Sequence, residues 1–279
     1  MKPVAVIRQE GERPRMPTLS QIAVHPIKAL DPVERDRVGI TDVGGLDGDR
    51  AFAIVDASGN YVNGKRTSAV HRLAADVDLD AGRVVLGEQG TDERHEFDID
   101  GDRDALEAWL SEFFGDSVTL ETGPGGSLTD SAIYGDGTKT GPTLVSAATL
   151  REVASWFDGI DPAEMRLRLR PNLVVEGVPA FWEDRLVGEG GHLRIGGVRL
   201  EATGPLPRCV VPTRDPHTGE EYDGFRETFL EHRERTLPEW VDRSVFDGNL
   251  FHLTVGLRIP ESARDGKLCV GDEVQRRDG

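Results

Sequence analysis

Cysteine is nearly missing: Cys209 and Cys269 are the only two in 279 residues. There is no C-x-x-C pair, which excludes zinc knuckles and cysteine-held iron–sulfur clusters within the chain. A disulfide framework is excluded at this size. Lysine is scarce as well, with Lys2, Lys28, Lys65, Lys139 and Lys267 making five. Long apolar runs are absent. None approaches the ~20 residues a membrane span needs, and the N-terminal apolar run is too short for a signal peptide. A cytoplasmic protein is expected. The chain also lacks G-x-G-x-x-G, the P-loop, H-E-x-x-H and G-x-S-x-G, so the common nucleotide, zinc-protease and serine-hydrolase signatures are out.

What abounds is negative charge. Fifty Asp and Glu stand against 33 Lys and Arg, for a net charge of −17. Such a surface repels nucleic acid backbones and anionic membranes, so neither is an expected partner. An acid-rich, lysine-poor surface fits a halophilic protein working in high salt; a coding bias toward Arg, Gly and Asp is the alternative.

Residues 1–16 read as a flexible leader. Strand signals follow at Leu19–His25, Val38–Ile40 and Ala51–Val55. Asp56–Asn60 reads as a hairpin turn, with Tyr61 and Val62 starting a return strand. Leu73–Leu79 and Arg83–Leu86 form a further pair around Ala81-Gly82. Short strands with turns every eight to twelve residues suggest a barrel or sandwich. A helix over Asp104–Phe114 places Leu106, Trp109, Leu110 and Phe113 at helical spacing, with Gly115 as its stop. The Gly123–Ser127 run marks a linker, dividing the chain into 17–127 and 128–279.

The second part opens with a strand at Pro142–Val145, and Ser146 is the predicted N-cap of a helix through Trp156. Met165–Arg170 alternates strictly and reads as a strand, followed by the strand Leu173–Val175. Gly-turn hairpins are expected at Leu186–Gly188 and Leu193–Leu200. Further strands are expected at Leu250–Leu257 and Leu268–Val274, and a charged helix from Phe225 to about Arg235. The fold class is mostly β with a few helices (α+β): an N-terminal β-barrel-like domain followed by a C-terminal β-barrel domain.

Three features stand out. Cys209 lies between prolines in Gly204–Thr213, next to Arg208, and a neighbouring cation favours the thiolate that binds soft metals or attacks as a nucleophile. A lone cysteine is otherwise a small buried hydrophobe, the reading given to Cys269. Arg166, Arg168 and Arg170, if on a strand, share one face and suggest a phosphate or carboxylate site; pairing with surface acids is the alternative. Asp215-Pro216-His217-Thr218-Gly219 is a tight turn that could fix the far end of the cysteine loop.

Taken in order, Arg170-Pro171-Asn172, Glu183-Asp184, Arg208-Cys209 and Asp215–Gly219 resemble the MOSC domain of molybdenum cofactor sulfurases and the mitochondrial amidoxime-reducing component. His25-Pro26-Ile27-Lys28, Gly45–Arg50, Gly59 and Lys65-Arg66 resemble the N-terminal MOSC β-barrel domain of the amidoxime-reducing group. The resemblance implies a pyranopterin molybdenum cofactor with Cys209 as metal ligand and catalytic residue. It implies that Lys28 and Arg50 lie near the cofactor phosphate and that Arg170 and Asn172 contact the cofactor. Arg208 and Thr213 are candidates for positioning or tuning the metal. Ala29 stands where several relatives carry Ser, so one hydroxyl contact is missing. With no cysteine cluster for a fused ferredoxin and no pyridoxal-phosphate domain within these 279 residues, a full sulfurase is not expected. Two functions are therefore open. One is a molybdenum-dependent oxidoreductase that reduces small N-oxygenated (N-hydroxylated) substrates with electrons from a separate ferredoxin- or flavoprotein-type donor. The other is a cofactor or sulfur carrier that uses a Cys209 persulfide.

Overall fold

The computed structural model describes residues 16–122, 141–187, 191–246 and 248–277. The expected leader and the Gly123–Ser127 linker lie outside the described residues, save Met16. The first part runs β1 (Thr18–Val24), β2 (Val33–Glu34), β3 (Arg37–Gly39), β4 (Phe52–Asp56), β5 (Leu73–Asp78), β6 (Arg83–Glu88), β7 (His95–Asp98), α1 (Arg103–Phe114) and β8 (Val118–Thr122). The second runs β9 (Thr143–Ser146), α2 (Ala147–Ala154), α3 (Pro162–Leu169), β10 (Leu173–Glu176), β11 (His192–Ile195), β12 (Val198–Pro207), α4 (Phe225–Thr236), β13 (His252–Arg258), β14 (Lys267–Cys269) and β15 (Val274–Arg277).

An eight-stranded sheet in the order β15-β11-β12-β13-β9-β10-β1-β2 carries the second part. Two of its strands come from the start of the chain. β1 pairs antiparallel with β10, Ile22 facing Leu173, and β10 pairs parallel with β9. Leu19, Ile22, Val24, Val38 and Leu46 therefore share one core with Leu144, Leu193, Leu200, Val255 and Leu268. Burying each such side chain is worth about 1.5–3 kcal/mol. β14 pairs with β3, a second tie between the ends of the sequence. The rest of the first part is a separate core under α1, where the β4–β8 pair and the β5-β6-β7 sheet enclose Ile54, Leu73, Val84, Leu106 and Leu110.

Local signals explain most elements. Ser146 caps α2 by accepting the Thr149 amide at 3.0 Å. Gly115 ends α1 in a left-handed conformation, φ 66°, where glycine costs least.

Four expectations fail. Met165–Arg170 is not a strand but the body and C-cap of α3. Asp161 caps it through the Glu164 amide, and Pro162 sits in the first turn, a start signal that outweighs a six-residue alternation. On a helix Arg166, Arg168 and Arg170 do not share a face. Tyr61 and Val62 make no return strand: the turn forms, but Tyr61 gives only a bridge to Val55, and the partner of β4 is β8. Leu186 belongs to a 3-10 turn over Trp182–Leu186, not to a hairpin. Cys269, expected buried, is half-buried at the end of β14.

Candidate functional site

A cavity of about 430 Å³ opens where the two parts meet, within the range of about 300–1,000 Å³ usual for small-molecule sites. Its wall takes Ala29–Pro32, Arg50, Asn63–Lys65 and His71 from the first part. The second part gives Leu167–Arg170 at the end of α3, Leu206 and Pro207 at the end of β12, and Arg208, Cys209, Pro212, Arg214 and Pro216 beyond it. In a chain of net charge −17, this wall carries six cations and, among the described residues, one carboxylate. The cations are Arg50, Lys65, Arg168, Arg170, Arg208 and Arg214; the acid is Asp31.

Cys209 is a free, half-buried thiol in this wall, two residues past β12. Its loop is held on both sides. The Arg208 amide donates to Phe251 O at 2.8 Å, and the Arg208 guanidinium donates to Leu169 O at 3.1 Å and to Thr254 Oγ1 at 3.3 Å. Buried Arg168, paired with Glu164, reaches across from α3 to Pro212 O at 3.1 Å and Arg214 O at 2.6 Å. At the far end Asp215 Oδ1 accepts the His217 and Thr218 amides at 2.8 Å each. The predicted tight turn is thus present, and it anchors the loop. Burial lowers the Arg208 pKa to about 10; Arg50 adds to the shift and Cys209 opposes it.

The backbone is strained here. Ala29, Arg50 and Arg170 have φ of 73°, 54° and 54°, and Thr254, which receives Arg208, has φ 68°. Such conformations cost about 1–3 kcal/mol each and gather at functional sites.

The other sequence candidates divide. Arg50 and Arg170 line the cavity. Arg50 pairs with Asp49, and Arg170 caps α3 and donates to Leu30 O. Lys28 is buried, with its Nζ 3.9 Å from the centre of the Tyr61 ring, and it is not part of the wall. Asn172 is also behind the wall. Its Nδ2 donates to Ala23 O and Asp49 Oδ1 at 3.0 Å each, and its Oδ1 accepts the Thr143 amide at 3.1 Å. The side chain fastens β1, β9 and the Asp49 loop together. Thr213 turns its hydroxyl to Val210 O at 2.8 Å and stays out of the wall.

Sequence reasoning missed Asp31, His71, Arg168 as a loop anchor, and the His25–Asp49 pair. The His25 amide donates to Asp49 Oδ1 at 2.8 Å. Burial opposes ionisation of Asp49, but Arg50 and His25 overcome it and hold its pKa well below the usual range. Burial, with Arg170 adding, keeps His25 neutral.

The residues fit an anionic, metal-bearing cofactor. Guanidinium groups suit a phosphate, and a single half-exposed sulfur suits a soft metal. Among the described residues no group of three or more His, Cys, Asp or Glu could hold a metal ion. One thiolate cannot complete a coordination shell, so a metal bound here must bring most of its ligands with it.

Two family profiles match the chain: the MOSC N-terminal beta barrel domain over residues 16–107 and the MOSC domain over residues 142–275. The chain belongs to the MOSC family. Both MOSC matches cover residues of the cavity wall, the first reaching from Ala29 to Leu73 and the second from Thr143 to Pro216. MOSC domains are associated with molybdenum cofactor sulfurase-like proteins. Among curated proteins none matches significantly. A solved structure, the YUAD protein from Bacillus subtilis, is similar at 11% identity over 94% of this chain and 96% of that one. Its TM-score of 0.36 is too low for any argument to rest on it. No helix among the described residues is long and apolar enough to cross a membrane.

Proposed function

We propose that the cavity holds a pyranopterin molybdenum cofactor, with Cys209 as the protein's ligand to the metal. The chain then acts as a cytoplasmic reductase of small N-oxygenated substrates, drawing electrons from a separate ferredoxin- or flavoprotein-type donor. The observation that carries this reading is a half-exposed thiol in a cation-lined cavity with no other metal-binding cluster among the described residues. When bound, the cofactor supplies the redox couple and the remaining metal ligands. The protein supplies position and field. Arg50, Arg170 and Arg208 offer charge to a phosphate. Arg168 and the Asp215 turn fix the loop that presents Cys209. Lys28, Asn172 and Thr213 support the wall from behind.

The test is elemental analysis of protein purified in high salt from a cofactor-competent host, with Cys209→Ala beside it. Near-stoichiometric molybdenum in the wild type, lost in the variant, is expected, together with reduction of an N-hydroxylated amidine by a reduced donor. Absence of molybdenum from both would sink the reading. Labile sulfane sulfur on Cys209 without molybdenum would then support a sulfur carrier.

A further inference from the structure

Removing oxygen from nitrogen consumes protons as well as electrons: an N-hydroxylated substrate, with two electrons and two protons, gives the N–H product and water. The described cavity wall has few groups able to give a proton near neutral pH. Guanidinium groups keep theirs. Lys65 is exposed. His71 is held neutral by burial and by Arg170 and Arg214, and its Nε2 is shut away from solvent without a hydrogen-bond partner among the described residues. Cys209 is taken by its proposed metal role.

Asp31 remains. It is half-buried in the wall, in the loop that follows Lys28, and Pro32 stiffens the chain after it. Its Oδ2 accepts the Ala75 amide of β5 at 3.0 Å, which fixes the carboxyl group in place. Burial raises its affinity for a proton; the Ala75 amide, Arg170 and His217 oppose this without reversing it. A carboxyl group in these surroundings suits general acid work.

We propose that Asp31 is a catalytic residue, the acid that delivers a proton to the oxygen leaving the substrate nitrogen. This role rests on the reductase reading above. The N–O bond and the Asp31 O–H bond break, and an O–H bond of the product water forms. Both electrons come from the ferredoxin- or flavoprotein-type donor. Solvent gives the second proton and reprotonates the Asp31 carboxylate.

The experiment compares the cofactor-loaded full chain with its Asp31→Asn and Asp31→Glu variants, using an N-hydroxylated amidine. In Asp31→Asn, molybdenum content should hold, kcat should fall about 100-fold or more, and the decline of kcat at high pH expected of the wild type should be absent. Asp31→Glu should recover part of the rate. A readout without turnover is the infrared difference spectrum between wild type and Asp31→Asn, expected to show a carboxyl that stays protonated above the ordinary Asp range. An unchanged kcat and pH profile in Asp31→Asn would overturn the proposal. So would molybdenum loss in step with the rate, which makes Asp31 structural, or a carboxyl that titrates in the ordinary range. A wild type that holds molybdenum yet turns over no N-oxygenated substrate overturns the reductase reading itself, and is seen before any substitution is made.

Discussion

Two charged clusters lie buried in this molecule, and they keep their protons differently. Behind the cavity, Asp49 is bonded to the His25 amide, to Asn172 Nδ2 and to Arg50, so it stays ionised despite complete enclosure. In the Trp182–Leu186 turn, Glu183 is as deeply buried, and the Thr149 hydroxyl and the Ser146 amide near it do not offset that burial. Burial, with the Asp184 charge beside it, raises the Glu183 pKa to about 7. Asp184 pairs with Arg233, which lies 4.2 Å from the centre of the Phe181 ring and has two nitrogens without hydrogen-bond partners among the described residues. Depth alone does not set protonation here; the charge of the neighbour does, a guanidinium beside Asp49 and a carboxylate beside Glu183. The cluster beside the site is built to keep a fixed charge, and the distant one tolerates a neutral acid.

The largest effect expected from breaking this contrast is at Asp49. Asp49→Ala strands Arg50 and the Asn172 amide, and breaking a buried ion pair costs about 3–5 kcal/mol, readable as a lower urea midpoint. The lowered pKa has a second signature. Its stabilisation is present above the unfolded value of 3.8 and is lost as pH falls toward the folded value. Asp49→Ala should therefore flatten the acid limb of stability against pH.

Glu183 predicts the opposite slope. A folded pKa of about 7 against an ordinary 4.5 means stability that is full below pH 4.5 and is lost as pH rises through 7. The shift corresponds to about 3 kcal/mol. Glu183→Gln should abolish that loss while leaving stability near pH 4 almost unchanged. If the slope survives the substitution, the neutral-acid reading of this cluster is wrong.

A smaller effect is expected in the cavity wall. A Cβ at Gly64 would lie 2.6 Å from His71 Nε2 and 3.1 Å from Val211 Cγ2. Gly64→Ala should cost about 1–3 kcal/mol through overpacking, with weaker cofactor retention as the wall shifts. Smallest is Ser146→Ala, which removes the α2 cap near Glu183 and should cost about 1 kcal/mol by thermal melting.

The sequence announced elements wherever one local signal acted alone. Gly115, Ser146 and the Gly196-Gly197 turn each marked a boundary that the structure keeps. Where two signals competed, the stronger was harder to see. In Asp161–Arg170 a cap and a proline set the helix, while the alternation of Leu and Arg suggested a strand. Of the cavity wall, Cys209 and Arg170 stood out in the text as sulfur and charge, whereas Arg50 came only from the family resemblance. The roles of Asn172 and Asp31 were not legible, because each is defined by partners far away in the chain: Asn172 reaches Asp49 across 123 residues and Asp31 reaches Ala75 across 44.

The seam of the large sheet has a consequence for how the molecule is made. The Leu19 amide bonds Asp272 O, the Val274 amide bonds Pro17 O, and β1 lies against β10. β1 must wait through some 250 further residues of synthesis before its last neighbours exist. Pairings this distant form slowly and leave an apolar edge uncovered meanwhile. During that interval the dense negative charge of the nascent chain is the feature that keeps copies of it apart.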